Sequence, residues 1–232
     1  MTRLNKFIAD CGITSRRKAE ELILQGRVTV NRKTITQLAF NIDVETDEVT
    51  VDGEKIKPAN HVYYLLNKPK GVVTTTDDDK KRITVTDLIK SKQKLFPIGR
   101  LDYNTTGVLI LTNDGDFAQK LIHPRNNIIR EYEVKLDKEL APEHEADLLK
   151  GVFIDGTRGK FIAIKYGKKK DRKNITVQCT EGRNHFVKKM FTTINYTVEK
   201  LHRNSFAGIV PDIPVGSFRK LTPDEIKKLS KL

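Results

Sequence analysis

The chain has 232 residues, 31% charged and 38% hydrophobic, with a net charge of +13 and two cysteines. Apolar runs such as residues 108–111 are far too short to span a bilayer, and no signal-peptide core follows the N-terminus. Cys11 and Cys179 stand in unrelated contexts, giving neither a disulfide framework nor a zinc pattern, so a reducing cytoplasm is the expected compartment. The positive charge points to a polyanionic partner, because neutralising phosphates releases condensed counterions.

The front of the chain is basic. Residues 1–33 carry eight Lys/Arg against three acids, whereas residues 34–60 carry two against six. Leu4, Phe7 and Ile8 recur at helical spacing. Thr14 or Ser15 is the expected N-cap of a second helix, with Ala19, Leu22 and Ile23 on its inner face and Gly26 at its end. Arg16, Arg17 and Lys18 then occupy the first turn, where the helix dipole opposes cations by about 0.3–1 kcal/mol each. Stability alone would favour acids there, so the basic fork is read as a phosphate contact. After Gly26 the period changes to two, at Val28 and Val30, then Val49 and Val51, with Asp52-Gly53 as a hairpin turn. The stretch from Arg3-Leu4-Asn5-Lys6 through Ser15-Arg16-Arg17-Lys18 to Gly26-Arg27-Val28 resembles the S4 RNA-binding domain. That resemblance implies recognition of structured RNA by shape and phosphates, with Arg3, Lys6, Arg16, Arg17, Lys18 and Arg27 as the contacts.

Lys57-Pro58-Ala59-Asn60 reads as a linker, dividing residues 1–57 from a second domain at 61–232. In the second domain, strands are expected at residues 62–66, 107–112, 132–136, 161–166 and 175–179. Helical patterns are expected near 85–90, 117–122, 143–149 and 185–191. This is the pattern of an α+β domain on a mixed, mainly antiparallel sheet. Lys168-Lys169-Lys170-Asp171-Arg172-Lys173 looks like a basic hairpin tip.

Four segments carry chemistry. Asn67-Lys68-Pro69-Lys70-Gly71 is a turn after a strand. Gly99-Arg100-Leu101-Asp102 sets one carboxylate in a glycine-flanked loop before an apolar strand. Arg130-Glu131-Tyr132-Glu133-Val134 is a strand whose alternation puts Tyr132 on one face with Arg130 and Val134. Glu181-Gly182-Arg183-Asn184-His185-Phe186-Val187-Lys188-Lys189-Met190 turns into a basic helix. His61, His123, His144, His185 and His202 share no ligand spacing, so no metal site is expected. No second carboxylate or Ser/His pair accompanies Asp102, which disfavours a conventional hydrolase.

In this order, behind an S4-like module, the four segments resemble the bacterial ribosomal RNA pseudouridine synthases, across essentially the whole chain. The lysine pair before Met190-Phe191, with Leu201-His202-Arg203, looks most like the small-subunit (16S) enzyme; the large-subunit (23S) relatives are the alternative. The resemblance implies that Asp102 attacks a flipped uridine, at C1′ or at C6, and that the freed uracil rejoins through C5. Such an isomerisation needs no redox cofactor, nucleotide or metal. It also implies that Tyr132 stacks on the base, that Lys188 pairs with Asp102 (Lys189 being the other candidate), and that Leu201 packs beneath the uracil. Arg100 would fill the vacated space or hold the backbone. Arg183 would contact phosphate or support the fold, and Asn67 and Lys68 would lie at the substrate. Phe186 departs from the polar residue expected at its position. The expected partner is ribosomal RNA or an assembling small subunit, met by a monomer. The competing readings are a non-catalytic ribosome-assembly factor and an RNA hydrolase.

Overall fold

The computed structural model describes every residue except 168–170, so three lysines of the expected basic hairpin tip lie outside the described residues. The chain divides into two units. One is Met1–Val62 with Ser91–Lys94 and Asn113–Gly115; the other is Tyr63–Lys90, Leu95–Thr112 and Asp116–Leu232. No helix among the described residues is long and apolar enough to cross a membrane.

The first unit runs β1 (Thr2–Arg3), α1 (Leu4–Asp10), α2 (Arg16–Leu24), β2 (Val28–Val30), β3 (Lys33–Thr34), β4 (Asn41–Ile42), β5 (Val49–Val51) and β6 (Glu54–Lys55). Ser15 starts α2 by accepting the Lys18 amide on its hydroxyl at 3.3 Å, and Gly26 ends it in the left-handed region at φ +70°. Antiparallel pairing gives the order β3-β2-β5-β6. Asp52 and Gly53, both at positive φ, close the two-residue turn between β5 and β6. The two-residue period puts Val28, Val30, Val49 and Val51 on one face, against Leu4, Phe7, Ile8, Ala19 and Ile23. Each large side chain buried there stabilises the module by about 1.5–3 kcal/mol. Asn113 brackets the end of this unit: its amide oxygen accepts the Val62 amide at 2.8 Å and its nitrogen donates to the Asn60 carbonyl at 3.0 Å.

The remaining elements are β7 (Tyr63–Lys68), β8 (Phe96–Pro97), β9 (Thr106–Thr112), α3 (Gly115–Ile122), β10 (Arg130–Leu136), α4 (Pro142–Lys150), β11 (Val152–Ile154), β12 (Thr157–Gly159), β13 (Ala163–Tyr166), β14 (Asn174–Cys179), α5 (Phe186–Thr193), β15 (Val198–Phe206), β16 (Phe218–Lys220) and α6 (Pro223–Ser230). Their sheet has the order β13-β14-β10-β15-β9-β7-β16, with β8 also against β9. Among the described residues every pairing in it is antiparallel except β9 with β15. The expected mixed, mainly antiparallel α+β architecture is therefore present. β9 lies mid-sheet and its residues Val108, Leu109, Ile110 and Leu111 are fully buried, as a continuous apolar run requires.

Several elements differ from expectation. Residues 85–90 form turns rather than a helix. There the Asp87 carboxylate accepts both the amide and the hydroxyl of Thr84, at 2.8 Å each, and this local bonding competes with helix formation. Val85 and Ile89 are nevertheless buried. The longest strand, β15, and the β11–β12 hairpin had no counterpart among the expected elements.

Candidate active site

The loop carrying Asp102 is clamped from below. Lys68, fully buried at the end of β7, donates its ammonium to the carbonyls of Pro69, Asp102 and Thr105 at 3.0–3.1 Å. Burial pushes its pKa down to about 8, against the pull of Asp102; the ring of carbonyls favours the charged form. The Thr74 hydroxyl donates to the Leu101 carbonyl at 2.6 Å, and the Thr105 amide closes the turn on the Asp102 carbonyl at 3.0 Å. Asn67 donates to the Ile213 carbonyl at 2.9 Å, while its own backbone pairs with Gly216 and Ser217. Neither Asn67 nor Lys68 lines the cavity described next. Both side chains, expected at the substrate, donate to backbone carbonyls here.

Above the loop, the first turn of α5 meets the carboxylate. Lys188 Nζ lies 2.6 Å from Asp102 Oδ2, and His185 Nε2 lies 3.2 Å from Oδ1. His185 stands immediately before α5 in the left-handed region, and Lys188 lies in the first turn of that helix. Lys189, one residue on, points elsewhere and pairs with Asp155. Of the two candidate lysines, Lys188 is therefore the one that meets Asp102. Sequence reasoning set His185 aside with the other histidines because it looked for ligand spacing. No local pattern announces its place, which depends on that left-handed backbone.

Asp102, Tyr132, Leu201, Arg100 and Arg183 all line one cavity of about 590 Å³. Tyr132 is buried on β10, directly opposite Arg203 of β15 and Val177 of β14. Burial raises its phenol above the ordinary range and keeps it protonated. The Arg203 guanidinium, 2% exposed, donates from Nε to the Val108 carbonyl at 2.7 Å and stands 5.0 Å from the centre of the Phe206 ring. Arg100 is exposed at the rim. Arg183 is tied down: its Nε donates to the Glu181 carboxylate at 2.6 Å, and Nη1 donates to the Ile154 carbonyl at 3.1 Å and to the Thr157 hydroxyl. It joins the β11–β12 hairpin to the turn before α5. Phe186 is 4% exposed and meets Phe161 edge-on at 6.1 Å, so the position where a polar residue was expected is filled by core packing.

In the first unit, Arg3, Arg16, Arg17 and Lys18 are exposed and make no ion pair among the described residues. Lys6 pairs with Asp10 at 3.0 Å. Arg27 is held by both oxygens of Asp52, at 2.7 and 2.6 Å, so its charge is already balanced by a carboxylate.

Comparison with known proteins gives two family matches: an S4 domain over residues 2–49 and an RNA pseudouridylate synthase domain over residues 62–193. The ribosomal large subunit pseudouridine synthase B of Bacillus subtilis (strain 168) is 41% identical, covering 100% of this chain and 97% of the relative. The dual-specificity RNA pseudouridine synthase RluF of Escherichia coli (strain K12) is 36% identical over 99% of this chain and 79% of its own length. A crystal structure of a pseudouridylate synthase superposes with a TM-score of 0.70 at 31% identity, covering 99% of this chain and 100% of that one.

Proposed function

The chain belongs to the RNA pseudouridylate synthase family, and from that membership we propose that it isomerises a uridine of large-subunit ribosomal RNA with Asp102 as the nucleophile. The observation that carries the catalytic part is the 2.6 Å Lys188–Asp102 contact at the edge of the cavity that Tyr132 also lines. A cation at that distance favours the ionised carboxylate, which is the nucleophilic form. The target uridine is flipped from its stack, at a cost of a few kcal/mol, and enters beside Tyr132 and Leu201. Asp102 attacks C1′ and the N1–C1′ bond breaks, releasing the uracil with the N1 electron pair. The uracil turns, and the C5–C1′ bond forms as the Asp102–C1′ bond breaks and frees the carboxylate. The C5 proton then leaves to solvent, its electron pair restores the ring double bond, and N1 takes up a proton in its place. Atoms and charge balance with no co-reactant.

The choice of subunit rests on the relative that is 41% identical over the whole chain and is named for the large subunit. The lysine pair that looked small-subunit-like is divided between Asp102 and Asp155 and so carries less weight as a mark of the target. Transcripts of both ribosomal RNAs, incubated with the protein and mapped by carbodiimide, decide the matter. A new pseudouridine on large-subunit RNA is the expected result. Pseudouridine on small-subunit RNA alone overturns the subunit; release of free uracil, or no product on either RNA, overturns the reaction.

Two further results are expected. Lys188→Met cuts single-turnover pseudouridine formation by roughly a hundredfold, the usual cost of removing one charge-stabilising donor, whereas Lys189→Met leaves it within about twofold. Equal losses from both would mean that the pairing is not what matters. In the front module, changing Arg16, Arg17 and Lys18 together to Gln weakens RNA binding. It also flattens the plot of log Kd against log salt by up to about 0.9 for each phosphate that the variant no longer neutralises. An unchanged slope in filter binding across a salt series returns these residues to a solvated surface.

A further inference from the structure

Both oxygens of the Asp102 carboxylate are engaged before any substrate arrives, and the two engagements are unequal. Lys188 donates to Oδ2 at 2.6 Å with a side chain 34% exposed; His185 Nε2 lies 3.2 Å from Oδ1, a contact without hydrogen-bond geometry, with a side chain 49% exposed. The His185 backbone stands at φ +54°, ψ +26°, in the left-handed region, immediately before α5, and its side chain makes no capping hydrogen bond. A non-glycine residue is strained there, and helix capping gives no reason to keep a side chain at this point. What the strained backbone does achieve is to bring the imidazole onto the same carboxylate that Lys188 meets one turn later.

The other groups around the cavity cannot take this place. Among the described residues, the cavity's Arg100, Arg130, Arg183 and Arg203 make no ion pair with Asp102, whose partners are His185 and Lys188. Glu181 is bound to Arg183, and Tyr132 is buried on the strand opposite Arg203. We infer that His185 is a positioning residue for the reaction. Its Nε2 fixes the plane of the Asp102 carboxylate and caps Oδ1, and the entering nucleotide displaces the half-exposed imidazole so that Oδ1 is the oxygen that attacks. Lys188 stays on Oδ2 throughout.

This rests on Asp102 being the nucleophile, and the test keeps the two apart. Single-turnover kinetics on the substrate RNA are measured for His185→Gly, His185→Gln and the wild type, together with Tm and RNA affinity. Glycine accepts a positive φ freely, so His185→Gly is expected to hold or raise Tm and to leave KM within about twofold. It should lower kcat by roughly ten- to a hundredfold, the scale of a misplaced reacting group. Gln, which can return a donor nitrogen to Oδ1, restores most of kcat. A fall in Tm alongside kcat, a loss confined to KM, an unchanged kcat, or a Gln variant no better than Gly each overturns the inference. Pseudouridine formed by Asp102→Asn would overturn the underlying reading instead.

Discussion

Asp102→Asn is expected to form no detectable pseudouridine, a loss of at least about a thousandfold as for other enzymes stripped of their nucleophile, while binding the same RNA as tightly as the wild type or more so. The amide has nearly the shape of the carboxylate, and the loop is held through its backbone by Lys68, Thr74 and Thr105, so the fold should not notice the change. The electrostatics shift in one direction. Lys188 loses the carboxylate 2.6 Å away, and the cavity gains one unit of positive charge towards a polyanion. A variant that failed to bind would point to collapse of the α5–loop contact, and thermal denaturation reads that directly. A variant that bound and still isomerised uridine would remove Asp102 from the chemistry. Binding without conversion is also what separates a synthase from an assembly factor: the factor's behaviour would be the same with either residue.

Much of this was legible in the sequence where a single local rule decides the outcome. Ser15 before a helical pattern, Asp52-Gly53 between two period-two runs and the apolar run at 108–111 each gave the element found. The meeting of Asp102 with Lys188 was expected from the family resemblance, and the two side chains do pair. Four features were not legible. β15 reads Val-Glu-Lys-Leu-His-Arg-Asn-Ser-Phe, with few apolar positions and no clean alternation. It is a strand because β10 and β9 supply partners on both sides, a long-range condition that no window contains. Residues 85–90 show helical spacing, but Asp87 and Thr84 bond each other first. Lys68 and Asn67 sit in a turn motif that suggested substrate contact; that each is turned inward onto backbone carbonyls depends on strands far along the chain. His185 was hidden for a different reason, since its meaning lies in a left-handed backbone conformation that sequence does not announce.

Gly107→Ala is the substitution expected to do most damage to the fold. A Cβ built on Gly107 would lie 2.3 Å from the Arg203 carbonyl oxygen and 2.7 Å from its nitrogen. These are backbone atoms of the neighbouring strand, so no side chain can swing aside. The position also has φ +111°, a conformation that side chains rarely adopt. Gly107 pairs with Arg203 in the parallel ladder between β9 and β15, beside Thr106 and His202, whose side chains bond at 2.7 Å. Forcing the strands apart would disturb the backbone leading into the Asp102 loop on β9 and the Leu201 and Arg203 side chains on β15 together. Overpacking and backbone strain combine to about 3 kcal/mol or more, equivalent to a Tm lower by roughly 10 °C for a unit of this size, with turnover falling along with it. Gly115→Ala is the control: at the start of α3 a Cβ meets nothing within 4 Å, and alanine favours a helix, so Tm should hold or rise slightly. Equal Tm values for the two variants would mean that the β9–β15 approach has slack, and that the close backbone contact does not fix the geometry of the site.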